Sequence, residues 1–332
     1  MTKTAVYSGV ESFLNDRELT EVTFAKGVTS IGDSAFEGCS SLAAITIPDG
    51  VTSIGKGAFY RCSSLTSITI PDGVTTIGNY AFQACFSLTA ITIPDGVTVI
   101  RYEAFYGCSS LTTITIPDSV TSIGEYAFLG CSSLTAITIP NGVTTICMSA
   151  FYGCSSLTAM SIPDGLTMIC SYAFKGCSSL TAITIPDSVT TISQQAFLGC
   201  SSLTAITIPD SVTLIEAWAF RDCVALTKLI LSPAVSIGPD CFSNCTALIA
   251  ATADKNMPTV EDLLDYRWHR KPAVIERVNA LLCLKGTWDH VENHPSETDS
   301  LKRKRTDDAP LRVTEAREKI PKVLWRVILE FL

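Results

Sequence analysis

The sequence predicts a solenoid of stacked coils. Short parallel strands line one face, short extended and helical-turn segments the other, and an α-helical cap closes the C-terminal end. Three observations carry this. The passage "GCSSLTAITIPDSVT" occurs at residues 176–190 and again at 199–213, an offset of 23. The same offset aligns the chain on itself from residue 28 to 250, and a period of that size is the signature of a repeat architecture. Inside each unit, L-T-x-I-T-I alternates apolar and polar residues with the period of a strand buried on one side.

The unit reads V-T-x-I-G-x-x-A-F-x-G-C-S-S-L-T-x-I-T-I-P-D-x. Its Phe recurs at Phe36, Phe59, Phe82, Phe105, Phe128, Phe151, Phe174, Phe197, Phe220 and Phe242. The last interval is 22, so the tenth unit has lost a residue near Pro233-Ala234-Val235. The strand L-T-x-I-T-I ends at Pro48, Pro71 or Pro94, because proline has no N–H for a ladder. Pro-Asp-Gly or Pro-Asp-Ser then turns the chain. V-T-x-I is a second short extended piece. G-x-x-A-F-x-G-C suits a tight helical turn that lays Ala and Phe inward. Val, Ile, Ala, Phe, Cys, Leu, Ile and Ile form the inward set of each unit. Such a small unit cannot enclose a core alone, so units must share one by stacking. Residues 1–27 read as a worn terminal unit, with Phe13, Leu19, Val22 and Phe24 in the slots of Phe36, Leu42, Ile45 and Ile47.

L-x-x-I-x-I followed by a short return segment resembles a leucine-rich repeat. The 23-residue length, I-G-x-x-A-F-x-G-C-x-x-L and the Pro after the strand resemble the BspA type, over residues 10–250. The resemblance implies a curved solenoid with a parallel sheet on one face, a binding role usually toward proteins, and no cofactor. The Asn common after the strand in other leucine-rich repeats is replaced here by Gly or Ser.

Composition divides the chain. Residues 1–250 hold nine Lys/Arg and eighteen Asp/Glu, and residues 251–332 hold fifteen and fourteen. An acidic array argues against nucleic acid as its partner, since phosphate contacts need clustered Lys and Arg. "MTKTAVYSGVESFLNDRELT" lacks the apolar core of a signal peptide, and no stretch reads as a membrane span. The expected setting is the cytoplasm. No nucleophile–base pair, phosphate loop or metal-ligand spacing stands out, so the expectation is a monomeric, non-enzymatic scaffold without cofactor or metal.

Several columns of identical residues invite a chemical reading. Ten cysteines, Cys39 to Cys245, share one inward slot and read as reduced, buried small hydrophobes. Cys147 and Cys170 instead replace the repeat's Gly in successive units, and are the pair where redox chemistry would be sought. Asp49, Asp72, Asp95, Asp118, Asp164, Asp187 and Asp210 form a second column, interrupted by Asn141, and read as turn residues. The strand's outward face is Ala and Thr, as at Thr113 and Thr115, and such an array gives an ice- or surface-binding solenoid as one alternative. Variation concentrates next to Ala-Phe. Tyr80, Tyr126, Tyr172 and Trp218 share one slot, and Tyr60, Tyr106 and Tyr152 share another in the intervening units. Pairwise duplication would produce this zigzag without selection, yet aromatics are also what protein interfaces favour. These seven are the candidate protein-binding residues.

Beyond the array, residues 251–285 read as a two-helix cap and 286–311 as a polar linker. Lys302, Arg303, Lys304 and Arg305 lie in that linker and resemble a nuclear import signal. Residues 312–332 read as an amphipathic helix. Its Ile320-Pro321, Leu324, Ile328-Leu329 and Phe331-Leu332 resemble the opening of an F-box, which gives a ubiquitin-ligase substrate adaptor as the other alternative.

Overall fold

The computed structural model describes residues 2–231 and 235–248. The expected cap, linker and C-terminal helix, the basic run Lys302 to Arg305 and the F-box-like residues lie outside that range. So does most of the segment in which a residue was lost.

The described chain is a parallel β-solenoid. Strands such as Ala44–Thr46, Ser67–Thr69, Ala90–Thr92 and Thr113–Thr115 line one face, with the central Ile buried and both neighbours exposed. Register is one unit per coil: Ile45 pairs with Ile68, Ile91 with Ile114 and Ile137 with Met160. The second piece of each unit makes a two-residue strand, such as Ser30–Ile31 beside Ser53–Ile54, again parallel and in register. Identical letters therefore stack on one another, and each coil buries the faces of its neighbours.

Two different turns join the strands. At Pro-Asp-Gly, the Val51 N–H donates to the Pro48 carbonyl at 3.0 Å and closes a tight turn. Along G-x-x-A-F-x-G-C the N–H groups alternate in direction. Tyr60 and Cys62 donate back within the coil, to Gly57 and Phe59, at 3.0 and 3.1 Å. Gly57, Phe59 and Arg61 donate to the next coil, to Asn79, Ala81 and Gln83, at 2.8 to 2.9 Å. The segment is thus a run of tight turns with every second bond spent on stacking. An α-helix would consume those donors internally and leave none for the neighbouring coil.

The inward set is the core. The unit Phe rings stack in file from Phe36 to Phe242, with centroids 5.1 to 5.7 Å apart and planes within 12°. Phe13 extends the file by stacking on Phe36 at 5.7 Å. Leu19 is buried, and Val22 and Phe24 pack partly buried against the core. One terminal feature has no counterpart in the sequence reading. β1 (Lys3–Tyr7) pairs parallel with β2 (Leu19–Phe24) and adds a strand beyond the first unit. Its Tyr7 is fully buried, 5.2 Å from Phe36, and the hydroxyl accepts the Gly32 N–H at 2.8 Å. Tyr7 plugs the open end of the apolar stack while satisfying its own polar atom.

Candidate protein-binding surface

The solenoid presents several columns to solvent, and they differ in what they offer. On the strand face, Ala90, Thr92, Thr113, Thr115, Ala136 and Thr138 are exposed. The surface is small, neutral and nearly identical from coil to coil.

The Pro-Asp edge carries the carboxylates of Asp49, Asp72, Asp95, Asp118, Asp164, Asp187 and Asp210, all exposed. The turns there close through backbone, as Val74 N–H to Pro71 O at 3.0 Å and Val120 N–H to Pro117 O at 3.1 Å show. Both ion pairs of the described residues, Lys3 with Asp16 and Arg221 with Asp222, lie elsewhere. Among the described residues, no group of three His, Cys, Asp or Glu side chains is placed to hold a metal ion.

The ten ladder cysteines do more than fill space. The Cys62 thiol donates to the Phe36 carbonyl of the preceding coil at 3.1 Å, and Cys108 donates to Phe82 at 3.1 Å. Each of the ten makes the equivalent bond, generally 26 residues back: one coil plus three residues. That offset is readable in the sequence once coils are assumed to stack. Burial pushes these thiols up, to about 12 at Cys108 and Cys177. Cys147 and Cys170 stand apart, half-buried on the return side.

The edge formed by G-x-x-A-F-x-G-C carries the variable residues. Tyr60, Tyr80, Tyr106, Tyr126, Tyr172 and Trp218 are half-buried, and Tyr152 is exposed at 37%. The rings lie down on the coil edge instead of standing free. Tyr102, absent from the sequence-derived set, links two of them: its ring meets Tyr80 at 5.3 Å and Tyr126 at 5.7 Å, both edge to face. A side-chain hydrogen bond to Glu103, chiefly, pushes the Tyr102 hydroxyl up to about 12. Cations cover several rings: Lys56 over Tyr80, Arg61 over Tyr60, and Lys175 over both Tyr152 and Tyr172. In the slot before Ala the backbone is left-handed in every unit, with Ser34, Glu103, Ser149, Gln195 and Asp240 at φ 51–56°. Tyr80, Tyr126, Tyr172 and Trp218 all have φ between 57° and 62°. Left-handed backbone is normally the preserve of Gly and Asn, and is a genuine outlier for bulky side chains. Only Gly57 puts glycine in this slot.

Six copies of the BspA type leucine rich repeat region match residues 8–135 and 121–250. The chain belongs to the BspA-type leucine-rich repeat family. A leucine-rich repeat protein from Bacteroides ovatus is 28% identical with a TM-score of 0.57, the match covering 74% of this chain and 77% of that one. A leucine-rich repeat protein from T. pallidum is 31% identical over 52% of this chain and 82% of that one, with a TM-score of 0.47. A leucine rich cell surface protein from Faecalibacterium prausnitzii is 33% identical over 74% and 81%, with a TM-score of 0.43. No curated protein sequence matches the chain. Leucine-rich repeat proteins generally mediate protein–protein interaction or surface binding, on a scaffold that is typically non-enzymatic. Among the described residues, no helix is long and apolar enough to cross a membrane.

Proposed function

We propose that this BspA-type protein is a non-enzymatic scaffold that binds a protein partner through its aromatic turn edge. The observation that carries the reading is the gathering of seven part-exposed aromatics on one edge, Tyr80, Tyr126, Tyr172 and Trp218 in one slot and Tyr60, Tyr106 and Tyr152 in another. The left-handed turn is common to the slot before Ala, since Ser34, Glu103, Ser149, Gln195 and Asp240 hold it at φ 51–56° as well, and what varies from coil to coil is the side chain it presents, an aromatic at four of ten places. The rings are also partly immobilised by their neighbours, so little rotamer freedom is lost when a partner covers them. The strand face, by contrast, offers almost nothing that differs between coils. The reading is tested by capturing a partner and replacing Tyr60, Tyr106 and Tyr152 by Ser. These three lie on ordinary backbone, so the fold should survive. Binding should fall at least tenfold, the equivalent of ~1.4 kcal/mol. Undiminished binding, with loss on changing Thr115 and Thr138 to Lys, would move the site to the strand face.

We propose in addition that the protein works inside the cell, on the run of four basic residues Lys302 to Arg305, which would direct nuclear entry. Replacing the four basic residues by Ala in a fluorescent fusion should leave it cytoplasmic. An unchanged distribution would remove the basic run from the account.

A further inference from the structure

The return ladder, built from the V-T-x-I segments, is broken twice. Its paired strands form three blocks: Ser30–Ile31 to Thr76–Ile77, Val99–Ile100 to Thr145–Ile146, and Met168–Ile169 to Ser236–Ile237. Inside a block, two bonds recur at each step. A Thr N–H donates to the Thr carbonyl of the preceding coil, as Thr52 to Thr29, Thr121 to Thr98 and Thr213 to Thr190 do at 2.9 Å. The residue after the strand's Ile donates to the Ile carbonyl of the preceding coil, as Gly78 to Ile54 and Gly124 to Ile100 do at 2.9 and 2.8 Å. Among the described residues both bonds are missing at two steps, where Thr98 with Arg101 and Thr167 with Cys170 hold the donor positions.

The other sides of the same coils stay joined. Ala90–Thr92 pairs with Thr113–Thr115 across the first seam, and Ala159–Ser161 with Ala182–Thr184 across the second. On the turn edge, Phe82 N–H reaches Ala104 O and Phe151 N–H reaches Ala173 O, both at 2.9 Å. Each seam is thus open on the return side and bonded on the strand face and the turn edge, which is how a hinge is built.

Two local features coincide at both seams. Side chains in the slot of Arg101 and Cys170 point at the preceding coil: a Cβ added at Gly55, Gly78 or Gly238 would lie 2.5 to 2.6 Å from its backbone. Every glycine in this slot that follows a paired strand keeps the ladder closed. Cys147, Ser193 and Glu216 carry a Cβ there and stay paired, so the side chain acts together with the Pro-Asp turn before it. A Cβ on the turn residues Gly50, Gly73 or Gly142 would meet only backbone of the preceding coil. On Gly96 and Gly165, ahead of the seams, it would meet the Thr75 and Thr144 methyls at 3.0 and 3.4 Å. Those two turns have slid along the coil. Where Ser stands in the turn its hydroxyl pins it, Ser119 to Val97 O at 2.7 Å and Ser188 to Leu166 O at 2.6 Å.

We propose that the solenoid is hinged at these two seams, with Arg101 and Cys170 as wedges and Gly96 and Gly165 as the unpinned turns that let the coil slide. The three blocks move as units. Tyr60 and Tyr80 ride on the first, Tyr106, Tyr126 and Tyr152 on the second, Tyr172 and Trp218 on the third. Bending re-aims these sets against one another. That use rests on the aromatic edge being the binding surface, whereas the hinges themselves do not.

The test needs no partner. Spin labels go on pairs of exposed Thr positions two coils apart, in full-length protein with Cys147, Cys170 and Cys283 changed to Ser. The ladder thiols are buried and stay unlabelled. Thr75→Cys with Thr121→Cys spans the first seam, Thr144→Cys with Thr190→Cys the second, and Thr167→Cys with Thr213→Cys stays inside the third block. Distance distributions from pulsed electron paramagnetic resonance should be broader across either seam than inside the block. Adding Arg101→Gly should narrow the first to the width found inside the block. In the unlabelled native chain, the amides of Thr98 and Thr167 should exchange with solvent at least tenfold faster than those of Thr121 and Thr190. Equal widths for the three pairs, a width untouched by Arg101→Gly, or equal exchange rates would overturn the hinges. None of these readouts involves binding, so a failed hinge and a failed binding edge are told apart.

Discussion

Phe128 sits between Phe105 and Phe151, at 5.5 and 5.3 Å, and is fully buried. Truncation to Ala would leave a cavity and break two ring contacts. The expected loss is ~3–5 kcal/mol, read as a lower urea midpoint. The thiols above it behave differently from an ordinary buried apolar group, because they titrate. An unfolded cysteine ionises near ~8.5, whereas Cys108 and Cys177 in the fold are pushed up to about 12. The folded value is the higher one, so the contribution is complete below the unfolded value. Above it the unfolded chain releases its protons first, and stability falls until the folded thiols ionise near 12. Each such thiol steepens the fall by about 1.4 kcal/mol per pH unit. Urea melts between pH 8 and 10.5 (roughly the lower part of that window) should show a steep loss, and Cys108→Ala should lessen the slope by one thiol's share, about 1.4 kcal/mol per pH unit. A stability indifferent to alkali would mean the thiols are not held protonated in the core.

At the scale of one element, the turn segment sets the rules. Gly130, just before Cys131, has φ 72°, and an added Cβ would meet only ordinary contacts at 3.8 Å. Its demand is conformational. Gly130→Val should cost ~2 kcal/mol or more, since β-branched residues avoid left-handed backbone. Gly130→Asn should cost much less, as Asn244 already occupies that slot at φ 62°. Near-equal melting temperatures for the two variants would refute the argument. The aromatic edge can be probed in the same way. Tyr102→Ala removes two edge-to-face contacts worth ~0.5–1.5 kcal/mol each. It should release Tyr80 and Tyr126, raising their accessibility to tyrosine-specific reagents.

Over the whole molecule, the repeated letters act through their neighbours. Coils contact only the coils above and below, so unfolding should spread from a damaged unit instead of occurring in one step. Hydrogen exchange on the Phe128→Ala protein should show protection lost first in the coils flanking residue 128. The Asp edge adds a long-range term. Its carboxylates stand one coil apart, and like charges at that spacing repel by ~1 kcal/mol per pair even in bulk water. Salt screens the repulsion, so the melting temperature should rise from low to moderate ionic strength. Asp118→Asn, copying the exchange at Asn141, should lessen that dependence without loss of stability.

The sequence by itself determined the coil. A 23-residue period, the inward set of eight and the proline after each strand fix which residues stack on which, because any other register would bury Thr and expose Ile. The worn slots of Phe13 and Leu19 were legible for the same reason. Other features follow from three-dimensional proximity and were invisible in one unit. The Cys-to-Phe carbonyl bond spans two coils, so it exists only after stacking. The left-handed backbone of Tyr126 is imposed by tight turns that must also donate to the next coil, and no local propensity of tyrosine announces it. Tyr102 and Tyr7 occupy places where the repeat has no fixed letter, so pattern alone gave no reason to notice them. Tertiary structure decided their roles, because a ring's partners are set by what the adjacent coil puts beside it.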